Sequence, residues 1–284
     1  MANKLDQVKQ ILNSPTPILV TASNGFSISE GVNIFQNNAD FQKILGDLVP
    51  KYHFNSILSA ISYPYNNLLD AWQVWARLIN YFIGNYQISP QMKYLKQLLK
   101  DKDYLIATSN GEYHFNLAGF NDESILATEG DWGTLQCFGE HDNRRLIRSL
   151  PIAQKIVDAE NKDQLNSDLL PKCEICGNVL LPHLPFNSQY INPVQSQNTF
   201  SKFLNSAISM HKPLTVLELG VGQNHPNLRK PIFDMMRSAT QVNYIIINRD
   251  HIVVPNSIEK QTTELAGNIE DILCELTLPN TNKS

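Results

Sequence analysis

The stretches PLTVLELGVG (213–222) and VNYIIINRD (242–250) constrain the fold most. A strand with one wet face alternates apolar and polar residues, whereas these runs are apolar on both faces. TPILVTA (16–22), DYLIATSNG (103–111) and the start of SILATEGDWGTLQC (124–137) have the same character. Strands buried on both faces need helices above and below them, and helical stretches lie between these runs. From Asp40 to about Tyr86 the pattern is helical. Leu68, Trp72, Trp75 and Leu78 fall on one face. SPQMKYLKQLLKDK (89–102) offers Ser89 as N-cap and Pro90 at the first helical position. Further helices are expected near 228–238 and over 268–277, and 138–185 reads as irregular apart from a helix at 151–160. The pattern is that of an α/β protein built on a parallel sheet. Ligands of such sheets bind beyond the carboxyl ends of the strands, here the loops 23–31, 108–115, 128–133 and 220–225.

The chain has 284 residues, a net charge of -4 and 42% hydrophobic residues. This suffices for a large domain with a smaller one. No basic run marks a nucleic-acid binder. No apolar stretch reaches the ~18–20 residues that span a bilayer. The polar start MANKLDQVKQILNS lacks a signal-peptide apolar segment, so a cytoplasmic location is expected. The tail LPNTNKS is expected to fray.

The four cysteines include the pair in PKCEICGN (171–178). One Cys-x-x-Cys cannot close a four-ligand zinc site. The pair is a redox dithiol, half of a zinc site, or a coincidence of sequence. Upstream, QCFGEHDN supplies Cys137 and His141. Cys137, His141, Cys173 and Cys176 then form two ligand pairs separated by a loop, the pattern of a ribbon-type Cys3His zinc site. Two reduced surface thiols beside an exposed histidine are the alternative.

Three further motifs sit at strand ends. LVTASNGFSISEG (19–31) places small residues and glycines where backbone can approach a phosphate. TSNG (108–111) presents Asn110, which can hold a ribose hydroxyl. TEGDWG (128–133) presents Glu129, a candidate general base. Each motif taken singly is equally a turn with solvated side chains.

Together, in this order, the parts resemble sirtuins, and most of all the macrodomain-linked, or class M, microbial sirtuins. ELGVGQNHP resembles their ELGVGxNTP. KDKDYLIATSNGEYHFNLAGF resembles KDKDYFxxTTNVDHQFxKAGF, TEGDWGTLQC resembles TQGDYGxxQC, and AWQVWARLINY resembles their Trp-x-x-Trp helix. The resemblance runs from about 16 to 276. It implies a Rossmann-like large domain (1–39, 87–136 and 186–284), a helical insertion (40–86) and a zinc-ribbon module (137–185). NAD would lie between the large and small domains against Ala22, Ser23, Asn24, Gly25, Ser27, Gly220, Val221, Gly222, Asn248 and Arg249. Asn110 and Glu129 would be catalytic. The implied activity is NAD-dependent ADP-ribosylation of a protein, in class M a lipoyl-carrier protein, with a macrodomain hydrolase as partner. Lysine deacylation, or a sirtuin fold that has lost NAD turnover, are the alternatives. Three departures stand out. Thr21-Ala22-Ser23 replaces Gly-Ala-Gly at the phosphate loop, Glu112 replaces an aspartate, and Glu129 stands where class M has glutamine.

Overall fold

The computed structural model describes residues 2–141, 145–185, 190–191, 194–209 and 213–279. The tail expected to fray lies outside them beyond Pro279. In chain order the strands are β1 (Ile18–Ala22), β2 (Tyr104–Thr108), β3 (Ile125–Ala127), β4 (Asp131–Gln136), β5 (Ile147–Arg148), β6 (Leu181–His183), β7 (Leu214–Leu219), β8 (Val242–Asn248) and β9 (Thr262–Ala266). Among the described residues they form a six-stranded sheet, order β3-β2-β1-β7-β8-β9, and a three-stranded sheet, order β5-β4-β6. The large sheet is parallel throughout and the small one antiparallel.

The apolar strands bury both faces, as expected. Val20, Ile106, Leu217 and Ile245 point to one side. There they meet Val8 and Leu12 of helix Ala2–Asn13, Met92 and Leu95 of Pro90–Leu98, and Leu273 of Ile269–Thr277. Leu19, Ala107, Val216 and Tyr244 point to the other side. They meet Leu204 of helix Val194–Ser209 and Leu228, Ile232 and Met235 of Pro226–Met236. Ser89 caps Pro90–Leu98 by accepting from the Met92 N–H.

Residues of 40–86 and 137–185 share a separate core. Trp72, Trp75 and Leu78 of helix Leu68–Ile79 pack with Ala153 and Ile156 of helix Leu150–Glu160 and with Leu135, Leu170 and Leu180. Trp72 Nε1 donates to the Leu180 carbonyl at 3.0 Å. Half-buried Arg77 joins the two segments, pairing with Asp47 at 2.6 Å and with Glu160 at 2.9 Å. Leu68 is 41% exposed, unlike the rest of its stripe, because it borders a cavity.

Some local expectations need correction. Residues 24–29, read as loop, form a short helix, Asn24–Ser29. The glycine-punctuated segment after β3 becomes β4 from Asp131 onward, because Leu135 and Gln136 pair with β6. Within 138–185, β5 and β6 accompany the expected helix, found at Leu150–Glu160.

Candidate functional site

The order in which strands are added reverses between β1 and β7, where a parallel sheet opens a crevice. The segments leaving these strands touch backbone to backbone. Gly25 N–H donates to the Gly220 carbonyl at 2.9 Å. A Cβ on Gly25 would stand 2.5 Å from Gly220 O. One on Gly220, where φ is +61, would stand 2.3 Å from the Phe26 nitrogen. Only glycine fits either position. Gly220→Ala is therefore expected to destabilise the protein by about 1–3 kcal/mol, the usual cost of overpacking and strain. A thermal melt indistinguishable from wild type would contradict this close approach.

Two cavities open from the crevice and share Asn24 and Phe35. One, of about 840 Å³, lies over the ends of β7, β8 and β9. Ser23, Gly25, Gly220, Gly222, Asn248 and Arg249 line it. The other, of about 680 Å³, runs toward the helical insertion between Ser27, Ser109, Glu112 and Glu129 on one side and Tyr63, Tyr65 and Trp75 on the other. Both are lined by a mixture of polar and apolar groups, with the larger aromatic side chains, Tyr63, Tyr65 and Trp75, in the second. Gly222 has open space where a Cβ would stand.

Each nominated residue has a definite place. Ala22 ends β1 and is fully buried. Ser23 Oγ accepts from Ser109 Oγ at 2.9 Å. Ser27 Oγ donates to Glu112 Oε1 at 2.5 Å. Asn248 Nδ2 holds the Val221 carbonyl at 2.9 Å, and Arg249 is largely exposed beside Asp250. Thr21 lies inside β1 and is fully buried, so of the residues that replace Gly-Ala-Gly it is Ser23 that borders the larger cavity.

Asn110 is the most informative. Its Nδ2 donates to the Ser23 carbonyl at 3.1 Å, and its N–H donates to Thr108 Oγ1 at 3.0 Å. Its Oδ1 is buried with no hydrogen-bond partner among the described residues. Leaving a buried acceptor unpaired costs about 1–3 kcal/mol, so the atom calls for a donor beyond the described residues. Burial pushes the Glu112 carboxyl above its ordinary range. Close by, His114 Nδ1 lies 3.3 Å from Glu30.

Glu129 is carried by a fixed turn. Thr128 N–H donates to the Thr108 carbonyl at 2.8 Å, and Trp132 N–H to the Gly111 carbonyl at 2.8 Å. Between them Gly130 has φ +78, and a Cβ there would fall 2.0 Å from His183 O. The backbone is thus held while the Glu129 side chain stays 46% exposed at the cavity edge.

Away from the crevice, Cys137, His141, Cys173 and Cys176 converge, with all four ligand atoms within 4.8 Å of one another. His141 Nε2 is 3.2 Å from Cys137 Sγ and 3.4 Å from Cys173 Sγ. Cys137 Sγ is 3.5 Å from Cys176 Sγ. Tetrahedral zinc, with Zn–S near 2.3 Å and Zn–N near 2.0 Å, has edges of about 3.5–3.8 Å, so the set fits the ion. Backbone N–H groups of Cys176 and Ile175 hold the Cys173 thiol down to about 6. Burial pushes Cys137 up to about 11, a thiol that a cation would deprotonate. Gly139 leaves room for the sulfurs, since a Cβ there would stand 2.9 Å from Cys176 Sγ.

Several contacts were invisible to sequence reasoning. Arg229, buried, pairs with Glu218 and donates to the carbonyls of Val221 and Gln223 at 2.8 and 2.9 Å, which fixes the turn around Gly222. His225 borders the larger cavity and faces Glu129. The signal for Arg229 was a charge on the apolar side of a helix, and that for His225 was its place just before Pro226.

No protein-family model matches the chain. It is 22% identical over 271 residues to a protein ADP-ribosyltransferase of Staphylococcus aureus, covering 94% of this chain and 84% of that one. It is 26% identical over 252 residues to a probable bifunctional ADP-ribose hydrolase/ADP-ribosyltransferase of Fusarium oxysporum f. sp. cubense, covering 85% of this chain and 42% of that one. Among solved structures it superposes on a sirtuin studied for substrate affinity with TM-score 0.63 at 14% identity, over 95% of this chain and 96% of the other. It superposes on Sir2Tm bound to a propionylated peptide with TM-score 0.61 at 12% identity, over 96% and 97%. The chain has the sirtuin fold.

Proposed function

We propose that the protein is an NAD-dependent ADP-ribosyltransferase with a protein acceptor and a structural zinc. The observation that carries this reading is the unpaired, buried Oδ1 of Asn110, which stands between Ser109 and Gly111 of the 680 Å³ cavity wall, in a chain whose relatives are named as ADP-ribosyltransferases. NAD would lie along the crevice. The turn at Gly222, where a Cβ would meet open space, would give backbone access for the pyrophosphate. The 840 Å³ cavity suits the adenosine half and the 680 Å³ cavity the nicotinamide half. Asn110 would hold the ribose at the reacting carbon through Oδ1, with Nδ2 already committed to Ser23. Glu129 would take the proton of the acceptor nucleophile. The nicotinamide–ribose bond breaks, and the acceptor's lone pair makes the new bond to the ribose carbon. Cys137, His141, Cys173 and Cys176 would hold the zinc, which supplies folding free energy away from the chemistry.

A lipoyl-carrier protein is the acceptor to try first, on the class M resemblance. A macrodomain hydrolase is the matching partner, supported by the bifunctional relative. Among the described residues no helix is long and apolar enough to cross a membrane. We place the reaction in the cytoplasm, with no nucleic-acid partner. Against the reading of a sirtuin fold without turnover stands the burial of Thr21, which leaves the approach to the turn intact at that position.

The test is release of nicotinamide from NAD by purified protein, with label from adenine-labelled NAD appearing on a lipoylated carrier. Label that never leaves NAD, together with no heat of NAD binding, would refute the proposal. Gly222→Trp is the matching variant. Its indole would enter the larger cavity from a position with free space, so NAD affinity should fall about tenfold or more while the melt is kept.

A further inference from the structure

Glu129 and His225 are two positions at which this chain departs from the class M motifs quoted above, glutamate for glutamine and histidine for threonine. They lie on the segments that follow strands β3 and β7, on opposite sides of β1, and meet above the crevice. His225 Nε2 lies 3.9 Å from Glu129 Oε1. His225 lines the 840 Å³ cavity and Glu129 the 680 Å³ cavity, so the pair spans the waist between them. Nδ1 of the imidazole is buried with no hydrogen-bond partner among the described residues, but the His225 backbone is anchored. Pro226 follows it at the first position of helix Pro226–Met236, and its carbonyl accepts from the Arg229 N–H at 3.1 Å. Its side chain is 17% exposed, against 46% for that of Glu129. The mobile member is therefore the carboxylate, whose own backbone turn gives it no fixed direction.

We propose that His225 is the positioning residue for Glu129. The separation is about 1 Å beyond a hydrogen bond, a gap that one rotation of the half-exposed glutamate side chain closes. Held from Nε2 through one carboxylate oxygen, Glu129 keeps the other free over the waist. That is where the nicotinamide–ribose bond must lie if the dinucleotide fills both cavities. In the transfer step nicotinamide leaves with the electron pair of the broken bond, and the acceptor's lone pair bonds to the ribose carbon. The acceptor's proton passes to the free carboxylate oxygen and then to water. His225 touches none of the reacting atoms and acts through Glu129. This role rests on the ADP-ribosyltransferase reading.

The test compares wild type, His225→Phe, His225→Gln, Glu129→Gln and the double variant Glu129→Gln/His225→Phe in nicotinamide release, with kcat and KM for NAD measured separately. Phenylalanine keeps the ring volume without a donor, and glutamine restores one near Nε2. His225→Phe should lower kcat roughly tenfold or more, with KM for NAD within about threefold of wild type. His225→Gln should recover most of the loss. In the Glu129→Gln background His225→Phe should cost nothing further, because the group it positions is gone. An equal fold loss in both backgrounds would overturn the proposal. So would a rise in KM alone, which would make His225 a dinucleotide contact, or an unchanged kcat. A melt of each variant separates misfolding from function, with His225→Gln carrying the comparison if phenylalanine is not tolerated. Wild-type protein that releases no nicotinamide refutes the functional reading itself before any variant is compared, and the role falls with it.

Discussion

Loss of the metal is expected to unfold the segment around the four-ligand cluster first and the parallel sheet last. A structural zinc site is worth about 10–16 kcal/mol in apparent binding free energy, comparable to the whole ~5–15 kcal/mol stability of a typical domain. Helix Leu150–Glu160 is held by its packing on Leu68–Ile79, but little else holds the strands and loops on either side of it. β5 has two residues and β6 three, and Cys176 is exposed. Without a cation the cluster sets sulfurs 3.5 Å apart with nothing to draw them together. Cys176→Ser keeps the side-chain volume and removes one ligand. It should bring bound zinc from one per chain to well below one. It should also open 138–149 and 161–180 to protease, while the fragments on either side, one carrying β1 and β2 and the other β7 and β8, stay paired in the sheet and resist. The damage should spread to the helical insertion, because Trp72 donates to Leu180 across their common core. Metal analysis, limited proteolysis and a melt with and without chelator measure this. Full zinc retention in Cys176→Ser, or a melt that chelator does not move, would show that the cluster is only a set of nearby thiols.

The long apolar strands were legible because burial on both faces leaves an uninterrupted run, which short length, β-branched residues and flanking turn residues mark as strand. β9 was not, since Thr262, Thr263 and Glu264 are partly exposed and Leu265 alone in it is buried, as suits an edge strand. Helix Val194–Ser209 was hidden by its Gln, Asn and Ser content, with packing resting on a few residues such as Leu204 and Phe203. The convergence of Cys137, His141, Cys173 and Cys176 was readable from spacing because each close pair must form a local turn. The crevice was readable only in pieces. Strand-end motifs fall in continuous sequence, but their partners come from other strands, as in Gly25 against Gly220, Ser27 against Glu112 and Glu129 against His225. Thr21 shows the opposite error. Motif comparison put it in the phosphate loop, whereas the sheet register pairs it with Ala107 and Glu218 and draws it into the strand.

Glu129→Gln is expected to lower turnover by roughly 10²–10⁴-fold, the usual worth of a positioned acid–base group. The substitution changes one oxygen to an amide nitrogen, so size, exposure and the Gly130 turn are kept. What it removes is the capacity to accept and carry a proton. It also removes a negative charge beside a crevice meant for a pyrophosphate, which works in the other direction by favouring NAD binding. The two effects fall on different constants. If the carboxylate is the base, kcat drops and KM for NAD stays level or falls. If it is a polar contact in the place class M gives to glutamine, kcat is preserved or raised and KM alone improves. The carboxylate is 46% exposed, so a water can stand between it and the acceptor without changing this expectation. Asn110→Ala provides the contrast. It deletes the unpaired Oδ1 together with the Nδ2 bond to Ser23, so it should depress both kcat and NAD affinity. A Glu129→Gln enzyme with wild-type kcat, beside an impaired Asn110→Ala enzyme, would keep the crevice as the NAD site and take the proton away from Glu129.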